Sequence, residues 1–223
     1  MLIAEDLLLL LTEDATGTLS VTGKAVDLAL GGAHLLQLEQ LHKVALTIDS
    51  DQGRPGRIIV RDPGPVGDPL LDAALETLRG KQGKKPESVI NPLSKNLRPA
   101  VYERLVASGV LRAERGKVLG LFTRRRWPTA DASHEDQVRG SVIQTLVQRT
   151  TPDARTAALI ALLHALKAEH RIVDVREHSL TRRELRSRAG QIAEPFWAAR
   201  AVRRAIDAAN AAAAGASTAA VTS

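Results

Sequence analysis

Apolar residues along this chain recur mostly at helical intervals, punctuated by short polar or Gly/Pro-containing breaks. Residues 3–11 are nearly continuous in leucine and close on the turn-forming residues 12–17, which predicts a buried helix. Residues 24–41 place Val26, Leu30, Leu35, Leu38 and Leu41 at helical spacing, and the Gly31-Gly32 pair in their middle lowers helix propensity while permitting close packing. Residues 19–21 read as a short strand. Residues 44–48 and 57–60 flank the polar stretch 51–56, the pattern of a hairpin with a long turn. Asp68 followed by Pro69 predicts a helix start running to about Leu78, because the carboxylate can cap free amides and proline fits the first helical position.

The second half repeats these signals. Residues 80–86, with Lys81, Lys84 and Lys85, read as an exposed basic loop. A helix is expected from Pro99, with Val101, Leu105 and Val106 inward and Gly109 ending it. A hairpin then follows at 110–112 and 117–122 around a turn at 113–116. Its second strand puts Val118 and Phe122 on one face and Leu119 and Leu121 on the other, so self-association or a membrane must cover the second apolar face. Ser133 and Asp136 read as a capping box for a helix to about Gln148, and Thr151-Pro152-Asp153 opens a further helix through Ala168. Thr181 with Glu184 predicts another cap. Ile192, Phe196, Val202 and Ile206 then define a C-terminal amphipathic helix interrupted near Pro195. The Ala/Ser/Thr-rich residues 208–223 offer no large anchor and are expected to be disordered. The fold class is therefore mainly α, a single domain over residues 1–207 in which helices surround a bundle and two β-hairpins project.

Charge is segregated beneath the formal net value of +6. Residues 1–75 carry five Lys/Arg against eleven Asp/Glu, whereas residues 76–130 carry thirteen against four. Such a pole recruits phosphates of lipid or nucleic acid. The bias toward Ala, Leu and Arg is also that of translated GC-rich, bacterial coding sequence. With 44% hydrophobic residues in 223, the chain can bury a substantial core. It has no cysteine, so disulfides and Cys-based metal sites are excluded, in keeping with a cytoplasmic protein. The leucine run at 7–11 follows Glu5 and Asp6 without a positive flank, and the run at 157–163 is too short to span a bilayer, so membrane contact is expected to be peripheral.

Catalytic signatures are missing: the sequence has no Gly-rich phosphate loop, HExxH or Gly-x-Ser-x-Gly, and no enzymatic activity, cofactor or metal is expected. His34 and His42 lie eight apart on one helix without a third ligand nearby and read as ordinary surface or core residues. His164, in an apolar helix, reads as a satisfied core histidine. Asp49, Asp51 and Asp62 fit either a cation site or a solvated turn.

The segments EDLLLLLTEDATGTLS, LGGAHLLQLEQL, VGDPLLDAALETL, ERLVASGVLRAERGKVLGLFTRRRWP and RTAALIALLHAL occur in order over about residues 1–170. Together they resemble the Golgi phosphoprotein 3 (GPP34) family, in its bacterial branch. The resemblance implies a helical bundle with a protruding hairpin, acting as a membrane adaptor on a cytosol-facing surface. It further implies an anionic phospholipid partner, phosphatidylinositol 4-phosphate in eukaryotic members, and possible binding of cytoplasmic tails of membrane proteins. Homo-oligomerisation through the hairpin is a further expected partnership. Carried over by position, two arginines of the family's lipid site fall at Lys95 and Arg98, its tryptophan near Thr22, and another arginine at Gly31. Two positions stay basic and two are lost.

The expected lipid-phosphate residues are Lys95, Arg98, Arg124, Arg125 and Arg126, with Val118, Leu119, Leu121, Phe122 and Trp127 as the membrane or oligomer surface. Five such cations supply roughly 5 kcal/mol at an anionic leaflet, and one inserted apolar side chain about 1.5 to 3 more. A rival reading takes the helix before the hairpin and the hairpin itself as recognition helix and wing of a nucleic-acid binder, with Arg98, Arg104, Arg115 and Arg124 on phosphates. Against nucleic acid stands the lack of an evident helix at the short spacing that should precede the recognition helix.

Overall fold

The computed structural model describes the backbone of residues 1–51, 53–118 and 122–219, and the side chains of these except 115–118, 122–125 and 215–219. Its order is α1 (Ile3–Leu11), α2 (Gly23–Gln40), β1 (Val44–Leu46), β2 (Ile58–Val60), α3 (Pro69–Arg79), α4 (Pro86–Ser94) and α5 (Leu97–Ala107). There follow β3 (Glu114–Val118), β4 (Phe122–Arg126), α6 (Ser133–Gln148), α7 (Ala154–Leu166), α8 (Glu169–Ile172), α9 (Arg182–Ala193) and α10 (Trp197–Ala219).

Three helices form the centre. Every residue of α1 is buried, α7 is buried over almost its whole length, and α2 buries a run from Leu28 to Leu36. A helix that is apolar all round must be enclosed by others. α2 packs against α1, α4, α7 and α10, while α5, α6 and α9 close the outside. The glycine pair makes this possible: a Cβ on Gly31 would lie 2.8 Å from the Ile90 carbonyl oxygen and one on Gly32 would overlap Val202. α2 thus meets α4 backbone to backbone.

Buried carboxylates join elements. Asp6, fully enclosed, accepts from His134 Nε2 at 2.8 Å and Arg155 Nε at 2.6 Å, tying α1 to α6 and α7. Asp68 accepts from the amides of Leu70 and Leu71 at 2.9 and 3.2 Å and, through its other oxygen, from Arg104 Nη1 at 2.7 Å. One carboxylate both caps α3 and docks α5, and Arg104 lowers its pKa against the opposing effect of burial. Asp68→Ala is expected to cost about 2 kcal/mol, the upper range for a lost cap, read as a lower urea midpoint at unchanged slope.

Most expected helices are present, with five departures from the sequence reading. Residues 86–94 form α4, which the sequence did not announce because Pro92 sits inside it. Residues 19–21 contribute only an isolated bridge, Leu19 to Thr12. Ser133 does not cap α6 through Asp136; Asp131 instead accepts from the Ser133 amide at 2.9 Å. The second hairpin is also shifted. Residues 114–116, expected in its turn, pair as strand with Arg126, Arg125 and Arg124. The register is set below, where Leu111 bridges Thr129 and the Arg112 amide donates to the Pro128 carbonyl at 3.0 Å. The expectation of disorder over 208–223 meets a helical backbone as far as Ala219. Among the described residues, no helix is long and apolar enough to cross a membrane.

Candidate functional site

A cleft of about 600 Å³ opens where the start of α2, the first turns of α5 and the strand exit after β4 converge. Leu19, Val21, Arg98, Tyr102 and Trp127 line it. Arg98 stands in the first turn of α5, where its Nε lies 3.1 Å from Asp27 Oδ1. Its Nη1 rests over Gly23, where any Cβ would come within 2.6 Å. Gly23 is therefore the space in which this guanidinium lies. Burial raises the Asp27 pKa and Arg98 counteracts it, so the pair is held in a partly dehydrated setting.

Trp127 reaches the cleft by a long-range route. Its ring stacks on Tyr102 with centroids 4.0 Å apart and planes 5° from parallel. The Tyr102 hydroxyl is in turn 3.0 Å from Thr12 Oγ1, which donates to the Leu8 carbonyl. The Trp127 amide donates to the Gly17 carbonyl at 3.3 Å. Gly17 adopts φ +60°, and a Cβ there would sit 2.3 Å from the Trp127 nitrogen, so only glycine allows this approach.

The other expected site residues divide. Lys95 is exposed in the turn between α4 and α5, where Asn96 takes a left-handed conformation, so it precedes rather than shares the helical face of Arg98. Arg126 is exposed at the end of β4. The side chains of Val118, Phe122, Arg124 and Arg125, and the whole of Leu119 and Leu121, lie outside the described residues. Thr22 ends the segment that flanks the cleft, between Val21 and Gly23, and Trp127 presents its indole in that same cleft. Gly31 is shut against α4.

Candidates for other chemistry are accounted for by packing. Asp51 pairs with Arg61 at 2.6 Å and Asp62 with Lys43. His42 is exposed with φ +56° and His34 is buried, so the two do not meet. His164 is partly exposed, with Nδ1 2.6 Å from the buried Glu169. No cluster of three or more His, Cys, Asp or Glu suited to a metal occurs among the described residues. Arg104, assigned to phosphates in the nucleic-acid reading, is held by Glu5 at 3.0 Å and by Asp68.

The sequence profile of Golgi phosphoprotein 3 (GPP34) matches residues 3–209, and the chain belongs to that family. It is also 24% identical over 208 residues to vacuolar protein sorting-associated protein 74 of Eremothecium gossypii. That match covers 78% of this chain and 62% of the relative, so the chain spans less than two thirds of the relative's length.

Proposed function

We propose that the protein is a non-enzymatic peripheral membrane adaptor that seats an anionic phospholipid headgroup in the cleft between Arg98 and Trp127. The observation that carries this reading is the convergence of a guanidinium and an indole, from distant parts of the chain, on one open cleft. Phosphate exchanges with Asp27 as the partner of Arg98, while the indole provides an apolar face at the depth of the glycerol backbone. Exposed Lys95 and Arg126 add positive charge outside the cleft, and by sequence Arg124 and Arg125 add more, with the hairpin's apolar residues proposed for membrane or self-contact. Membership of the GPP34 family and the likeness to a sorting protein support an adaptor role. Since the resemblance puts the family's tryptophan near Thr22 and one of its arginines at Gly31, the reading rests on charge and one apolar face, with phosphatidylinositol 4-phosphate as one ligand to compare with others. The adaptor would act on the cytoplasmic face of its membrane.

Co-sedimentation with phosphatidylcholine vesicles containing phosphatidylglycerol, cardiolipin or phosphatidylinositol 4-phosphate tests it. Removing two cations at about 1 kcal/mol each lowers affinity by roughly thirtyfold in a Lys95→Ala/Arg98→Ala variant. An Arg124→Ser/Arg125→Ser/Arg126→Ser variant is expected to lose binding sharply as well. Equal binding by wild type and both variants, or equal binding to pure phosphatidylcholine, would refute the assignment.

A further inference from the structure

A second cationic surface lies at the other end of α2. Three clefts adjoin there. The first, about 650 Å³, is lined by Arg54 and Arg57 of the β1–β2 connection and by Lys84 and Lys85 before α4. The second contains Arg57 and Lys85 again, with Trp197, Arg200 and Arg204 of α10. The third, about 410 Å³, contains Arg200 and Arg204 again, with Arg186 and Arg203, over a floor of Ala161, Ala193 and Ala199. Neighbouring clefts share lining residues, so the three adjoin in a row as a segmented groove.

The groove is held in shape by the fold. Thr47, itself buried, donates its hydroxyl to the Arg54 carbonyl at 2.7 Å and accepts from the Arg57 amide at 2.9 Å. The Ile58 amide donates to the Lys84 carbonyl at 3.0 Å, and the Gly83 amide donates to the Ile58 carbonyl at 2.9 Å, so the turn that carries the lysines is pinned to the start of β2. Trp197 is anchored by its Nε1–H to Glu39. Among the described residues, no carboxylate pairs with Arg54, Arg57, Lys84 or Lys85. Glu87 lines the first two clefts and lies 3.8 Å from Arg204, and Arg203 faces Asp207 at 3.2 Å.

We infer that this groove binds an extended acidic segment of a partner protein, rich in Asp or Glu. Four unpaired cations at one end call for a polyanion. A row of clefts fits a strand-like chain better than a bilayer plane. Arg203 and Arg204 already face carboxylates, and exchange with an incoming carboxylate preserves that geometry. Nucleic acid fits less well, because it needs aromatic faces for stacking, whereas Trp197 is half-buried and tied to Glu39 and Phe196 packs on the alanine floor. Gly23, beside Arg98, and Glu39, beside Trp197, are sixteen residues apart on α2, or about 24 Å at 1.5 Å per residue. The groove and the Arg98 cleft are therefore separate, and this inference does not depend on the lipid assignment.

The test is fluorescence anisotropy of the full chain with a fluorescein-labelled twelve-residue Glu/Gly peptide and its Gln/Gly counterpart. Wild type is expected to bind the Glu peptide at least tenfold more tightly than the Gln peptide. An Arg57→Ala/Lys85→Ala/Arg204→Ala variant, confirmed folded by circular dichroism, should lose at least tenfold, and Lys95→Ala/Arg98→Ala should change nothing. Undiminished binding by the triple variant overturns the inference. So does tighter occupation of the groove by a single-stranded oligonucleotide or by phosphatidylglycerol vesicles, read as competition that the triple variant abolishes. Failure of vesicle binding alone leaves the peptide result intact and refutes only the lipid reading.

Discussion

A Gly31→Arg variant will be destabilised by at least about 3 kcal/mol and will not gain affinity for anionic vesicles. The family resemblance places an arginine at this position, so substitution superficially restores a lost lipid contact. The packing forbids it. A Cβ at Gly31 would stand 2.8 Å from the Ile90 carbonyl oxygen and 3.0 Å from the Ser94 amide nitrogen, both backbone atoms unable to swing aside. Overpacking alone typically costs about 1 to 3 kcal/mol, and enclosing a guanidinium without a partner adds more. Gly31→Ala carries the steric part only and should lose about 1 to 3 kcal/mol, measured with the same urea titration. A stable Gly31→Arg protein with enhanced vesicle binding would show that α2 and α4 separate readily, and that the family's full headgroup pocket is latent here.

That helix contact also marks the boundary of what the sequence discloses. Local signals located the helices they control: Asp68-Pro69 for α3, Asp153 for α7, and the reciprocal Thr181–Glu184 cap for α9. α4 escaped because its single apolar stretch is interrupted by Pro92 and it packs on the bare backbone of Gly31, far away in the chain. The same distinction governs the site. Lys95 and Arg98 were visible as cations before a helix, but the arrival of Trp127 beside Arg98 depends on Gly17 lying against the Trp127 backbone, a tertiary fact. Lys84 and Lys85 were legible as a basic loop, yet the meeting of Lys85 with Arg200 and Arg204 arises only when α10 packs on α2 and α4. Glu5 and Asp6 showed the opposite error, since charges read as flanking an apolar run are buried and paired.

Acidification is expected to weaken the fold through His34. Its imidazole is 2% exposed, and Nε2 has no hydrogen-bond partner among the described residues. Burial pushes its pKa down from 6.5 to about 4; Asp68 works against that shift and Arg104 reinforces it. Because the folded pKa lies below the unfolded one, the stabilisation is complete above about pH 6.5 and is lost as pH falls toward 4. The unfolded chain takes up the proton that the folded chain refuses. A shift of this size corresponds to about 2 kcal/mol lost between pH 7 and pH 4.5. Asp27, Glu39 and Glu135 have raised pKa values and contribute with the opposite sign at the acid end, whereas Asp68 is lowered and contributes with the same sign. A His34→Leu variant separates these effects. It removes the buried ring whose Nε2 is unpaired, so it should be at least as stable as wild type at pH 7 and lose about 2 kcal/mol less on going to pH 4.5. Urea titrations of both proteins at the two pH values measure the difference, and parallel losses would mean that His34 has a partner or access to water in solution.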